Sequence, residues 1–304
     1  MAIIGLTLAA FGQANAQDTK LLWSTGGKGG TYSTMAGELI SICTQTPGFG
    51  VNVTEINTTG SIANVQQLVD NKTNLIFAQP DVVYYSVKGD ARSSLRVVAS
   101  LHSEQVHYVA RRDTILKSGG IIGIGATKTV LESVDQLTGL KVAAAGGSLP
   151  TAAIINEVSK IGYSIESRPD NATLVKALEE GQVDAIVVVG GKPFQLIEKL
   201  PASKFRLLSM SNEIVLKMSA LKGVYFPTEL NYDNLKAMNV RSIEMSAMLL
   251  TSSFYKSAKM VGAIGKVKSC LEKNIDELME TTGMHSAWRT VDLHREVNWK
   301  KFGE

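Results

Sequence analysis

The chain has 304 residues, 44% of them hydrophobic, which is enough for two domains with cores of their own. Its seven prolines gather in no biased tract, which argues against long disordered linkers. With 31 basic and 28 acidic residues the net charge is +3, and no Lys/Arg cluster carries interleaved aromatics, so no nucleic-acid partner is expected. The first segment, Ala2–Phe11, is short and mostly apolar, and Ala14-Asn15-Ala16 follows as a small-x-small site. This predicts a secretory signal peptide over residues 1–16, cut between Ala16 and Gln17, although the usual basic residue ahead of the apolar run is missing. The run falls short of the roughly 20 apolar residues that a spanning helix needs. The mature protein is expected to be periplasmic and monomeric.

The next stretch alternates strands and helices. A strand at Leu21–Ser24 leads through Gly29-Gly30-Thr31 into a helix, and a second strand follows at Val51–Ile56. A helix near Ile62–Asp70, a strand at Leu75–Ala78 and a break at Gln79-Pro80 complete the unit. Leu95–Leu101 and Val106–Ala110 read as two consecutive strands, leaving through Arg111-Arg112-Asp113. Ser118–Thr129, with Gly119-Gly120 and Gly123-Ile124-Gly125, reads as an inserted loop or hairpin. The first plan then repeats. Strand Lys141–Ala145 runs through Gly146-Gly147-Ser148 into a helix, and strand Ser164–Arg168 follows. Next come a helix near Ala172–Glu180, strand Val183–Val189 and the break Gly190-Gly191. Arg206–Met210 reads as a further strand, and from Asn212 onward the pattern is helical, most clearly at Val261–Glu280.

Two such α/β units imply two lobes facing each other across a cleft. The expected lobe 1 comprises residues 17–109 and 211–304, and lobe 2 residues 110–210. Two crossing strands, near Val106–Arg111 and Phe205–Ser211, would form the hinge. Cys43 and Cys270 lack CxxC spacing; in an oxidising compartment they form either one disulfide or two buried thiols.

The glycine-rich strand-to-helix turns carry the candidate site, because ligands of open α/β sheets sit outside the carboxyl ends of the strands. Gly26-Gly27-Lys28-Gly29-Gly30-Thr31 fails as a phosphate loop, since Gly29 rather than Ser or Thr follows Lys28. Glycine still allows close backbone approach, and the first N–H groups of each following helix favour an anion. Gly30, Thr31, Tyr32, Thr59, Gly60 and Ser61 are the candidates in the first unit, with Gln79 at the end of its third strand. Gly147, Ser148, Gly190, Gly191 and Pro193 are those of the second. Lys28, Arg111 and Arg112 are possible countercharges, and Asp81 is a possible cap for the next helix. The four histidines have no metal-ligand spacing, and no GxSxG elbow or nucleophile motif is present. Neither catalysis nor a cofactor is expected.

Several of these motifs occur together in one known family. Gly29-Gly30-Thr31-Tyr32, Thr59-Gly60-Ser61 with Asn64-Val65, and Ala78-Gln79-Pro80-Asp81 come first. Leu95–Leu101, Gly146-Gly147-Ser148 and Gly190-Gly191-Lys192-Pro193 follow in order. The chain thereby resembles the TAXI family of TRAP-transporter solute receptors over residues 20–210. It departs from that pattern at Leu149-Pro150 and in the Ser118–Thr129 insertion. The resemblance implies an α/β, type II periplasmic-binding fold of two mixed sheets covered by helices with a two-strand hinge. It also implies capture of a small carboxylate, either a glutamate-like amino acid or a dicarboxylate or keto acid, for delivery to TRAP permease subunits. The family's ligand contacts map onto Thr31, Tyr32, Thr59, Ser61 and Gln79, and onto Gly147, Ser148, Thr151 and the Gly190–Pro193 turn. A periplasmic sensor that presents its closed form to a membrane signalling receptor is the alternative.

Overall fold

Residues 19–118, 127–191, 194–255 and 257–304 are described by a computed structural model of the chain. The expected leader over residues 1–16, Pro193 and the tip of the insertion at 119–126 lie outside the described residues. The first repeat comprises β1 (Thr19–Ser24), α1 (Thr31–Gln45), β2 (Val51–Ile56), α2 (Ser61–Val69), β3 (Leu75–Ala78), α3 (Pro80–Ser86) and α4 (Gly89–Ser94). A 17-residue strand, β4 (Leu95–Arg111), leads out of it. The antiparallel pair β5 (Ile115–Ser118) and β6 (Thr127–Val130) forms the arms of the insertion. The second repeat is β7 (Lys141–Ala145), α5 (Ser148–Ser159), β8 (Ser164–Arg168), α6 (Asn171–Glu179), β9 (Ala185–Gly190) and α7 (Gln195–Glu198). Then come β10 (Phe205–Leu207), α8 (Asn212–Ser219), β11 (Phe226–Tyr232), β12 (Ala237–Ser252) and α9 (Ala258–Glu280).

Apolar runs such as Leu75–Ala78, buried at every position, become strands covered on both faces. Helix α9 buries Ala263, Ile264, Val267, Cys270, Leu271 and Leu278, the three-and-four spacing of a one-sided helix. Cys43 on α1 and Cys270 on α9 form a disulfide with their Cα atoms 5.8 Å apart, which decides the question their spacing left open.

The strands lie in the order β2-β1-β3-β12-β4-β9-β7-β8, with β10 on β4 and β11 on β12. Strands β1, β2 and β3 are parallel, as are β7, β8 and β9, while β12 and β4 run antiparallel between the two sets. Each half has apolar cores on both faces of its sheet. Trp23, Phe77, Leu249 and Leu271 sit in one core of lobe 1, and Leu68, Ile76, Val82 and Leu250 in the other. Lobe 2 has Tyr108, Val142, Ile155 and Tyr225 on one face, and Leu174, Ile186 and Phe205 on the opposite face. This is the two-lobed type II periplasmic-binding-protein fold. The sheets of the two lobes are joined into one through β4 and β12 rather than standing apart.

Three features differ from the sequence expectation. Leu95–Leu101 and Val106–Ala110 are one strand, because Ser103, Glu104 and Gln105 between them continue the pairing with β12. The segment Phe205–Ser211 does not return to lobe 1. Strand β10 pairs with Arg111, Ala110 and Val109 of β4, and Ile214 and Met218 of α8 bury in a lobe 2 core beside Tyr225 and Ile243. The chain after Asn212 is also not helical throughout, since β11 and β12 intervene and β12 makes the second crossing.

The crossing is held by buried polar groups. Glu244 accepts hydrogen bonds from Ser103 Oγ at 3.1 Å and Gln105 Nε2 at 3.2 Å, and pairs with Arg295 Nη1 at 2.7 Å. Bonds shielded from water are costly to break, and these help hold β12 on β4 where Glu244, Met245 and Ser246 pair with Gln105, Glu104 and Ser103.

Candidate functional site

A cleft of about 440 Å³ opens between the lobes beside this crossing. Its lobe 1 wall is made by Gly27, Tyr32, Thr58, Thr59, Gly60, Ser61 and Gln79, and its lobe 2 wall by Ala145–Ser148, Pro169–Asn171 and Val189, with Glu104 of β4 also lining it. Volumes of about 300–1,000 Å³ suit small-molecule ligands.

The walls are built by local chemistry. Asn64, fully buried on α2, donates to Thr25 O at 2.5 Å and Phe77 O at 2.8 Å, tying the start of α2 to the ends of β1 and β3. Thr58 Oγ1 donates to Asn64 Oδ1 at 2.6 Å and holds the preceding turn. Gly60 then takes φ 108°, a left-handed conformation that favours glycine. Ser61 Oγ accepts from Gln79 N at 3.1 Å, which places the α2 terminus against the end of β3. Helices α1, α2 and α5 begin after Gly30, Gly60 and Gly147 with no side-chain cap. Helix α6 also reaches the cleft, but the Asp170 carboxylate caps it by accepting from Thr173 N at 2.8 Å. The uncapped termini of α2 and α5 thus leave N–H groups and the positive dipole ends for an outside acceptor.

Tyr32 lies between the donors and the acid. Its hydroxyl donates to Glu104 Oε2 at 3.2 Å and lies 3.5 Å from Ser61 Oγ. Burial first, then the adjacent Glu104 charge, pushes the Tyr32 phenol well above its usual range, so it remains a neutral donor. Ser148 Oγ accepts from Val189 N at 3.0 Å, leaving its own proton free to turn toward a ligand. Among the described residues, Gln79 Oε1 is buried without a hydrogen-bond partner.

The lobes are closed on one another. A Cβ built on Gly147 would stand 2.2 Å from Gln79 Oε1, so with α5 in this position a larger residue would have to turn the Gln79 side chain away. Asp81, expected as a helix cap, instead faces lobe 2: its Oδ2 accepts from Thr151 Oγ1 at 2.5 Å and Tyr225 OH at 2.9 Å. Its Oδ1 accepts from Val82 N at 2.7 Å. Burial raises the Asp81 carboxyl from 3.8 to about 6 against the opposing pull of these hydrogen bonds, and the Glu104 charge adds to the rise.

Of the candidates named from sequence, Tyr32, Thr59, Gly60, Ser61, Gln79, Gly147 and Ser148 line the cleft. Gly30 and Thr31 begin α1 outside the lining, and Thr151 is fully buried, occupied with Asp81. Gly190 ends β9 with its backbone against the Phe194 ring, and Gly191 lies beside Ser103 and His102. The proposed countercharges are not at the cleft. Arg111 Nη1 donates to Leu178 O of α6 at 2.9 Å and Arg112 Nε to Ala202 O at 2.6 Å, so both are engaged within lobe 2, while Lys28 is exposed and outside the lining. Sequence reading missed Glu104, whose only local signal is a charge inside an otherwise strand-forming run, and the Asp170 turn. Among the described residues, no cluster of three His, Cys, Asp or Glu side chains could hold a metal ion.

Solved structures share this architecture. The substrate-binding protein of an amino acid ABC transporter is similar over 86% of this chain and 97% of its own, at 12% identity and a TM-score of 0.51. An ancestral arginine-binding protein bound to arginine is similar over 85% and 93%, at 11% identity and a TM-score of 0.51. The GluR0 ligand-binding core in complex with L-glutamate is similar over 91% and 100%, at 9% identity and a TM-score of 0.50. At these identities the likeness is one of fold. The sequence model of the NMT1-like family matches residues 23–298, nearly the whole described chain, and the protein is therefore a member of the NMT1-like family.

Proposed function

We propose that the protein is an extracytoplasmic solute receptor that closes its two lobes over a small carboxylate-bearing ligand. One observation carries this reading: the uncapped N-termini of α2 and α5 enter the same interlobe cleft from opposite lobes, with Thr59, Ser61, Tyr32 and Ser148 hydroxyls around them. A ligand bridging those termini contacts both lobes only in the closed form, so binding shifts the population toward it. The motif resemblance to TAXI receptors supports delivery of the ligand to a TRAP permease. The Cys43–Cys270 disulfide supports an oxidising compartment, as does the expected leader.

The test is a thermal-shift screen of refolded, ligand-stripped protein against amino acids, 2-oxo acids and dicarboxylates. A ligand at 100 times its dissociation constant adds about 2.7 kcal/mol, several degrees of melting temperature. Uptake of the hit into proteoliposomes containing the TRAP permease, dependent on this protein, is expected in turn. A folded protein that no carboxylate stabilises would remove the receptor reading.

A further inference from the structure

We infer that Glu104 binds a protonated nitrogen of the ligand, so that the cleft selects an amino acid over the corresponding dicarboxylate or 2-oxo acid. This rests on the receptor reading above and narrows it. Glu104 projects from the crossing strand into the cleft and is only 6% exposed. A carboxylate offers about four acceptor sites. Among the described residues, Tyr32 provides its one hydrogen bond. His102 Nε2 stands 3.4 Å from Oε1, but neither ring nitrogen makes a hydrogen bond.

A second acceptor points the same way. Gln79, 5% exposed, keeps Oε1 buried beside Gly147 and without a partner among the described residues. Two acceptors in need of donors therefore face a space that closure removes from water, where an unfilled acceptor is costly. An ammonium group supplies three N–H donors and the compensating charge.

The signs in the cleft agree. Its described lining contains Glu104 and Asp170 and no Lys, Arg or His. A second ligand carboxylate placed against Glu104 would meet like charge, with the low-dielectric surroundings strengthening the repulsion. The helix termini that accept one carboxylate lie next to these acceptors, since Tyr32 OH spans from Glu104 to Ser61 at the start of α2. Adjacent donor and acceptor sets match an α-amino acid, which carries its ammonium and carboxylate on one carbon.

The test uses the refolded full chain and calorimetry with matched probe pairs: alanine and pyruvate, leucine and 4-methyl-2-oxopentanoate, glutamate and 2-oxoglutarate, with succinate and glutarate added. The amino acid should bind at least about thirty-fold tighter than its oxo partner in every pair that binds. Glu104→Gln, which keeps the size and the Tyr32 contact, should lose most of that preference at an unchanged melting temperature. The loss of selectivity separates a ligand contact from a structural role. An oxo acid or dicarboxylate binding as tightly as the amino acid overturns the inference while leaving the receptor reading in place. So does a Glu104→Gln protein of unaltered selectivity. Failure of all probes to bind defeats both.

Discussion

If the lobes open and close as proposed, Asp81 should make that closure sensitive to pH. In the closed form its carboxylate is fully buried between lobe 1 and the Thr151 and Tyr225 hydroxyls of lobe 2, with a pKa of about 6. Opening separates those partners and returns the group to water, near its ordinary 3.8. The closed-state value is the higher, so closing takes up a proton. Acid therefore favours closure; the gain is complete below about 3.8 and lost as the pH rises through about 6. The full difference corresponds to about 3 kcal/mol. Between pH 7 and pH 5 the affinity for a ligand with no titration of its own in that range should tighten about tenfold, or about 1.4 kcal/mol. In Asp81→Asn the amide keeps the shape, and the two hydroxyls can turn to accept from its nitrogen, but no proton is taken up. Calorimetric titration of both proteins at pH 7, 6 and 5 decides the matter, because any other titrating group is common to the two. Equal pH slopes in wild type and Asp81→Asn would refute the reasoning, and so would a wild type that gains less affinity in acid than Asp81→Asn.

Gly147 has ordinary helical φ and ψ (−61° and −21°), so alanine there strains no backbone and tests only its contact with Gln79. Overpacking should weaken ligand affinity by about 1–3 kcal/mol in calorimetry while the melting temperature of the ligand-free protein stays put. Ser148→Ala removes the acceptor for Val189 N together with a proposed donor to the ligand, and should weaken binding by about 1–3 kcal/mol. Thr31→Ala, outside the lining, should change affinity and stability by no more than about 0.5 kcal/mol. Replacing Cys43 and Cys270 with alanine opens a link between positions 227 residues apart, and should cost about 2–5 kcal/mol in denaturant unfolding while ligand affinity in the folded protein is retained.

Local order was legible where a segment's own residues decide its conformation. The strands Leu75–Ala78 and Lys141–Ala145 have the bounds that the apolar runs imply, because burial on both faces needs nothing beyond the run itself. The glycine turns before α2 and α5 were equally visible, as Gly-rich breaks ahead of helix-length segments, but that both helices begin without a capping side chain was not. The repeat of the two units implied two facing lobes, and the cleft lies between them.

The joining of the lobes was not legible, for one physical reason. Its residues are polar, and their burial is made tolerable by partners distant in sequence. Ser103-Glu104-Gln105 looked like a break between strands, yet it continues β4, with Glu244 accepting from Ser103 and Gln105 about the crossing. Asp81 looked like a cap, but its hydrogen bonds go to Thr151 and Tyr225, 70 and 144 positions away. Arg111 and Arg112 looked like countercharges, but the carbonyls that claim them belong to α6 and a turn of lobe 2. Apolar periodicity is a property of neighbours and can be read from the chain; hydrogen-bond satisfaction of a buried polar group depends on what folding brings beside it. The sequence alone therefore determined two lobes with donor-rich turns, and the tertiary structure decided where they cross, which polar groups join them and which acid lines the cleft.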